Sequence, residues 1–432
     1  MNTRKTSCIF LAAIAIAAFT FTLAVRAQAQ TYNILYSFTG ASDGKDGADS
    51  LIFDSAGNLY GTTSEGGNGC TLISGCGTIF ELSPNGSGGW TEQVIYAFTG
   101  GAGGSQPEGS LVMDAAGNLY GTTDSGGTCC GTVYKLTHNS DDSWSQSVLY
   151  TFAGGNDGGN PIAGVVLDGA GNLYGTTQFG GGSGGCGIPG CGTIYELSPT
   201  SSGSWTETLL HIFHGPDGQM PQDNLTFDAA GNLYGTALEG GKVYSSCSSG
   251  CGLVFKLSPS SSGKWTEKII HYFDGTNGNG PFGGVTFDAA GNLYGTTGFG
   301  GILRDCGGNG CGVVFELSPN SAGAWLQTRL YNFHDTDGAE PFAGVVVDGS
   351  GNVFGTTSLG GNLTCIKSGC GVAYELTPSS THWTQSVLHV FGAGSDGFFP
   401  DGGLILDSAG NVYGMTLLGG TDDQGEVYEI TP

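Results

Sequence analysis

Thirteen cysteines and seven histidines are the side chains of this sequence best suited to chemistry. Apart from Cys8, the cysteines fall in six close pairs: Cys70/Cys76, Cys129/Cys130, Cys186/Cys191, Cys247/Cys251, Cys306/Cys311 and Cys365/Cys370. Such pairs either oxidise to disulfides or contribute to a metal site. Zinc needs four converging ligands, and no His recurs at a fixed spacing beside the pairs. Disulfides closed within each local loop are therefore expected, and no metal is assigned. His211, His271 and His389 stand two residues before a Phe, where other segments carry Tyr36, Tyr96, Tyr150 and Tyr331, so packing accounts for them. His214 and His334 follow that Phe into a loop, as a ligand or base would. The sequence holds no His-Glu-x-x-His, no phosphate-cradling loop with Lys and no Gly-x-Ser-x-Gly elbow, so no catalytic residue is assigned.

Aspartates recur in two patterns. Asp54, Asp114, Asp168, Asp228, Asp288, Asp348 and Asp407 each open the phrase Asp-x-x-Gly-Asn, at intervals of 60, 54, 60, 60, 60 and 59 residues. Asp can bond nearby backbone amides and Gly supplies a positive φ, so the phrase reads as a hairpin turn. Asp43, Asp157, Asp217, Asp337 and Asp396 each lie eleven residues earlier, in Asp-Gly-x-x-Pro or a variant. That constant offset indicates a second structural turn. Calcium is its functional alternative, needing six to eight oxygens, and no other cofactor is expected.

The elements that position these residues follow from the repeat. Each unit reads as four strands. Strand a ends at the hairpin Asp (Leu51 to Asp54), and strand b follows Gly-Asn (Asn58 to Thr63). A Gly-rich cysteine loop leads to strand c (Gly77 to Leu82), and a Ser-Pro-Gly loop leads to strand d (Trp90 to Phe98). Short aromatic and β-branched runs between turn residues indicate strands. Six units carry a Trp eight residues before a Phe in strand d. The seventh stops after its strand c, at Glu426 to Ile430, while residues 32–38 match a strand d that lacks its Trp. One strand donated across the ends describes a closed ring, which leaves no open edge. The expected fold is all-β: a seven-bladed β-propeller with four strands per blade, the last completed by the N-terminal strand.

In an up-and-down blade the b–c and d–a loops share one face. Cysteine loops and Asp-Gly-x-x-Pro loops should therefore meet there, opposite the hairpin turns. Function usually sits on the more variable loops of a scaffold, which makes the cysteine face the candidate. Its d–a loops carry Phe282, Phe342, Phe398 and Phe399, and a b–c loop adds Phe299. Earlier repeats carry Glu108, Ile162 and Gln222 after the Pro, so repetition alone does not demand these rings. They are the candidate binding residues, with packing beneath long loops as the alternative.

Composition bounds the partners. Glycine makes up 83 of 432 residues, and charged residues only 11%. Interior Gly disfavours a long helical protein by about 1 kcal/mol per residue. The net charge of −25 opposes nucleic acid, whose phosphates need cations, and an anionic membrane surface. Arg4 and Lys5, the apolar run Cys8–Val25 and Ala27-Gln28-Ala29 read as a secretory signal peptide over 1–29. A single mature domain over 30–432 is expected, secreted to the extracellular space or periplasm, monomeric and without a membrane span.

With Asp-Ala-Ala-Gly-Asn-Leu-Tyr-Gly-Thr-Thr at 114–123 and 288–297, Leu-Tyr-x-Phe, Asp-Gly-x-x-Pro and Phe-Glu-Leu-Ser-Pro in view, the chain resembles the GloVer tandem-repeat family of exported bacterial proteins. The resemblance covers nearly all of 32–432. It implies secretion and repeat architecture, but no reaction. Many members are thought to carry a C-terminal sorting anchor. This sequence ends at Thr431-Pro432 directly after strand c, so such a tail is not expected here. The functional expectation is an extracellular binding module for a glycan or protein ligand. The alternative is a polysaccharide lyase or hydrolase using the central pocket.

Overall fold

A computed structural model of the chain describes residues 30–432, apart from 71–73, 183–185, 188, 366 and 393–394. The expected signal peptide lies outside the described residues. Seven antiparallel sheets of four strands form the blades of a seven-bladed β-propeller, and blade 1 gains a fifth short strand, Lys45–Gly47. In blade 1 the four are Ile52–Phe53 (strand a), Leu59–Glu65 (b), Thr78–Pro84 (c) and Trp90–Ala97 (d). Strand a is shorter than its apolar run suggests, with two ladder residues in every blade. Strand c meets strand d through a bulge in every blade, as where Ile79 pairs Tyr96 but Phe80 pairs Val94. In blade 7, Glu426–Thr431 pairs antiparallel with Thr31–Ser37, so the N-terminal strand closes the ring.

The repeat phrases encode both blade and seam. Strand b, Leu-Tyr-Gly-Thr-Thr or a close variant, is buried on both faces, while strand d alternates inward and outward residues. The Gly of strand b pairs directly with the aromatic residue of strand c, as Gly235 with Phe255. A Cβ on Gly235 would lie 2.7 Å from that ring, and one on Gly121 would lie 2.4 Å from the Tyr134 hydroxyl. Gly is thus required by the ring lying across it. The Phe that follows strand d packs against the strand c aromatic of the next blade. Centroids are 5.1–5.4 Å apart from Phe98–Tyr134 round to Phe391–Tyr428, and Phe38–Phe80 completes the circle. The Trp of strand d meets the strand b Tyr of the blade before it, as Trp325 meets Tyr234 at 5.9 Å. Strand b also bonds the next blade: Thr122 and Thr296 donate to the carbonyls of Ala163 and Ala343, each at 2.7 Å.

The hydrophobic core is accordingly a set of seams. One combines Val314 and Phe333 of blade 5 with Val353, Tyr374 and Leu376 of blade 6. Another joins Tyr413, Met415 and Val427 of blade 7 to Leu51, Leu59 and Phe80 of blade 1, and includes Phe38. Apolar burial at these seams drives assembly, so each blade is stabilised chiefly by its neighbours.

Candidate functional site

The two aspartate patterns are turns. Asp114 Oδ1 accepts from the amides of Ala116 and Asn118, while Oδ2 accepts from Asn118 Nδ2 and the Tyr120 hydroxyl. Burial alone would raise this carboxyl, but those bonds outweigh it and hold it below its usual value. The other hairpins repeat the arrangement, as at Asp54 and Asp407. In the second pattern Asp43 accepts from Thr39 N and from the Tyr36 hydroxyl, and Asp157 from Ala153 N and Tyr150. His211 and His389 replace the Tyr and stand 3.2 and 3.1 Å from Asp217 and Asp396. His271, opposite Asn277, is partly buried, and that burial pushes it down to about 4. His214 and His334 are exposed and sit 3.5 and 2.8 Å from Asp217 and Asp305, away from the cavity described below.

All six cysteine pairs stand within their own b–c loops. Their Cα atoms are 5.2–5.9 Å apart, or 3.8 Å for adjacent Cys129 and Cys130, and every pair forms a disulfide. Cys76, Cys191, Cys251, Cys311 and Cys370 are buried under the loops, while Cys129 is exposed. Six disulfides are consistent with an oxidising compartment. Among the described residues, one group brings three metal-capable atoms together: Cys306, Cys311 and Asp335. Its cysteines are disulfide-bonded, which removes their thiolates as ligands. No helix of the described residues is long and apolar enough to cross a membrane.

The d–a loops and the starts of the b–c loops are bridged, as at Ser105–Ser125 and Asn279–Phe299, so both loop sets lie on one face. At its centre is a cavity of about 380 Å³ lined by the residue after each Pro: Glu108, Ile162, Gln222, Phe282, Phe342 and Asp401, with Ala48 in blade 1. Phe282 and Phe342 touch at 4.4 Å between centroids, and Phe299 stands behind them at 6.0 and 6.1 Å. A Cβ on Gly298 would meet Phe342 at 2.8 Å and Phe282 at 3.0 Å, so the rings lean across that residue. Three of the five candidate rings therefore come together. Phe398 and Phe399 do not join them. They contact each other at 5.0 Å, and Phe398 packs on the seam between blades 6 and 7. The physical reason is register: both precede Pro400, and the position after it belongs to Asp401.

The cavity is also acidic. Asp49 and Asp223 line the cavity one residue deeper than the ring of post-Pro residues. Asn224 Nδ2 donates to Asp49 Oδ2 at 3.1 Å and to Ser110 Oγ at 2.9 Å, and the Ser110 amide donates to Asp49 at 3.1 Å. Asp223 accepts from the amides of Asn224 and Gly284. These bonds join blades 1, 2, 4 and 5 across the axis and floor the cavity. Enclosure, reinforced by the nearby Asp49, pushes the Asp223 carboxyl well above the usual range. Burial likewise raises Glu108 to about 7, with Asp124 adding to it. Asp401 rises to about 6 through burial, which the Ser358 hydroxyl opposes and Glu340 reinforces. The buried Oδ1 of Asp401 has no hydrogen-bond partner among the described residues. No Lys, Arg or His is among the described residues lining this cavity.

Sequence comparison of the repeats at the post-Pro position found the phenylalanines but missed the floor. The signal lay one and two residues further along. Asp49 and Asp223 stand where other repeats have Gly109, Ala163, Gly283, Ala343 and Gly402. Ser50, Ser110 and Asn224 stand where others have Gly164, Gly284, Gly344 and Gly403.

The Gloeobacter/Verrucomicrobia repeat matches three overlapping stretches, residues 17–246, 129–361 and 242–432. No curated protein matches the chain. A crystal structure of a protein of unknown function from Dyadobacter fermentans DSM 18053 is 12% identical, with 92% of this chain and 96% of that one covered at a TM-score of 0.44.

Proposed function

The chain belongs to the Gloeobacter/Verrucomicrobia repeat family, and from that premise we propose that it is an exported binding module whose ligand site is the cavity at the centre of the cysteine face. A repeat family prescribes a scaffold, so function is sought where the repeats depart from one another. The observation that carries the reading is the Phe282–Phe342 pair, which walls a cavity whose remaining rim is largely polar. Small-molecule sites span roughly 300–1,000 Å³ and combine apolar walls with a few placed polar groups. A short glycan fits that description, with sugar C–H faces against the rings and hydroxyls toward Gln222, Glu108 and Asp401.

Glycan capture by the purified chain tests the proposal. Phe342→Ser should abolish retention of an oligosaccharide with little change in melting temperature. Phe398→Ser, outside the cavity, should leave retention unchanged. Equal retention by both variants would refute the site.

A second reading, cleavage of a polysaccharide, is favoured by one observation: Asp49 and Asp223, from unrelated repeats, meet in the cavity, and Asp223 holds its proton tightly. A raised carboxyl can act as a general acid. Release of new sugar ends that disappears with Asp223→Asn would support this reading. Binding is preferred because backbone amides and Asn224 already engage both carboxylates.

A further inference from the structure

We propose that the ligand of the central cavity carries a positive charge: an ammonium group, on a sugar-sized frame, held between the Phe282–Phe342 wall and the carboxylates of Glu108, Asp401, Asp49 and Asp223. This deepens the binding reading and rests on the cavity being the ligand site.

The chemistry of the lining is one-sided. Carboxylates from blades 1, 2, 4 and 7 share one small cavity, and none of the described lining residues is a cation. Buried carboxylates are ordinarily paired or hydrogen-bonded. Asp49 and Asp223 find amides, whereas Asp401 has the Ser358 hydroxyl beside it and its buried Oδ1 makes no hydrogen bond among the described residues. The rim position is also free to vary, because Ala48, Ile162 and Gln222 occupy it elsewhere. Neither blade closure nor repeat geometry therefore demands an acid there.

The aromatic wall points to the same ligand. Ring faces carry negative charge density, and ammonium groups are attracted to them, more strongly when desolvated. Phe282 and Phe342 come from neighbouring blades and are held against each other over Gly298. A neutral sugar would use the rings but leave the carboxylates uncompensated. A small metal ion would need several oxygens close together, and these four carboxylates form no such cluster among the described residues. An ammonium on a larger frame uses the rings and the carboxylates at once.

The raised carboxyls support the geometry. A bound cation favours their ionised form, so binding should release protons. For spermidine, whose amines stay charged over this range, affinity should climb as pH rises from about 6 to about 8, as Asp401 and Glu108 and then Asp223 lose theirs.

The experiment is calorimetric titration of the purified mature chain with a short β-1,4-linked glucosamine oligomer, its fully N-acetylated counterpart and spermidine. The free-amine oligomer should bind about tenfold tighter than the acetylated one. Asp401→Asn and Glu108→Gln should each weaken the amine ligand several-fold and leave the acetylated one unaffected. Phe342→Leu should weaken both. Melting curves of all variants separate these effects from unfolding. If spermidine matches the amine oligomer, the charge inference stands with a free polyamine as the ammonium source, and the sugar-sized frame is overturned. Equal affinity for the free-amine and acetylated oligomers would overturn the charge inference while leaving the cavity as a sugar site. Binding of either that persists unchanged in Phe342→Leu, or no binding of any probe, would overturn both.

Discussion

Among the described residues, four of the seven blades bury a strand c Tyr hydroxyl without a hydrogen-bond partner. Tyr134, Tyr195, Tyr374 and Tyr428 lie across the Gly of strand b, and their oxygens are unbonded among the described residues. Phe80, Phe255 and Phe315 fill the same place in the other blades. An unsatisfied buried donor costs about 1–3 kcal/mol. Each Tyr→Phe change at these four positions should therefore raise stability, by about 1 kcal/mol in denaturant unfolding. Loss of stability in all four would show that buried water or another partner satisfies them. The reciprocal change, Gly235→Ala, forces a Cβ to within 2.7 Å of Phe255 and should cost about 1–3 kcal/mol, the range for overpacked cores. Combining it with Phe255→Leu should recover part of that loss. The Leu-Tyr-Gly phrase was legible as a strand, because its turn and its aromatic and β-branched residues are local signals. The reason for its Gly was not, since the ring that requires it belongs to another strand.

At the scale of elements, the third residue of strand d divides the blades by pH. Gln146, Gln327 and Gln385 donate to the loop carbonyls of Gly103, Asn277 and Asp337 at 2.8–2.9 Å. Glu92, Glu207 and Glu267 hold that place in blades 1, 3 and 4, each with a buried, unpartnered Oε1. Burial foremost raises each from 4.5 to about 7, and Asp43, Asp157 and Asp217 add to the rise. A carboxyl that binds its proton more tightly when folded favours folding in acid. That stability is fully present below about 4.5 and is lost as pH rises through about 7. These groups are only half-buried, so after discounting for solvent the loss is about 1 kcal/mol each. Glu92→Gln, Glu207→Gln and Glu267→Gln should raise the melting temperature at about pH 8, change it little at about pH 4, and flatten the slope between. A triple variant with the parent's slope would remove the carboxyls as its cause. The assignment of loops to faces followed from strand order and agrees with the bridged d–a and b–c loops. The bulge in every strand d left no mark in the sequence. It is set by pairing with strand c, and the residue before it ranges from Val94 to Arg329.

Over the whole molecule, closure rests on pairing between Thr31–Ser37 and Glu426–Thr431. Tyr32 stacks on His389 of blade 6 at 3.8 Å and donates to Glu426, and Phe38 completes the circle of aromatic contacts. Removing residues 31–38 should expose the edge of Glu426–Thr431 and lower the melting temperature by tens of degrees or cause aggregation. Unchanged stability would mean that the ring does not depend on this strand. The ring was legible because an incomplete last repeat and a matching N-terminal segment are complementary facts of sequence. The cavity was only half legible. Its phenylalanines stood out against the repeat, whereas Asp49, Asp223 and Asn224 acquire meaning when segments up to 175 residues apart meet at the axis.

The same closure sets an order of events during synthesis. Thr31–Ser37 is made before the first blade, and its partner only after the sixth. Six blades can take shape on a growing chain, but the first strand must wait, unpaired, for residues 426–431. Such long-range pairing is slow to form. A nascent chain interrupted before that point cannot shut, however well its blades have folded. It presents a waiting strand and an uncovered seam that proteases and holdases can recognise. The topology thereby distinguishes a closed ring from an open one.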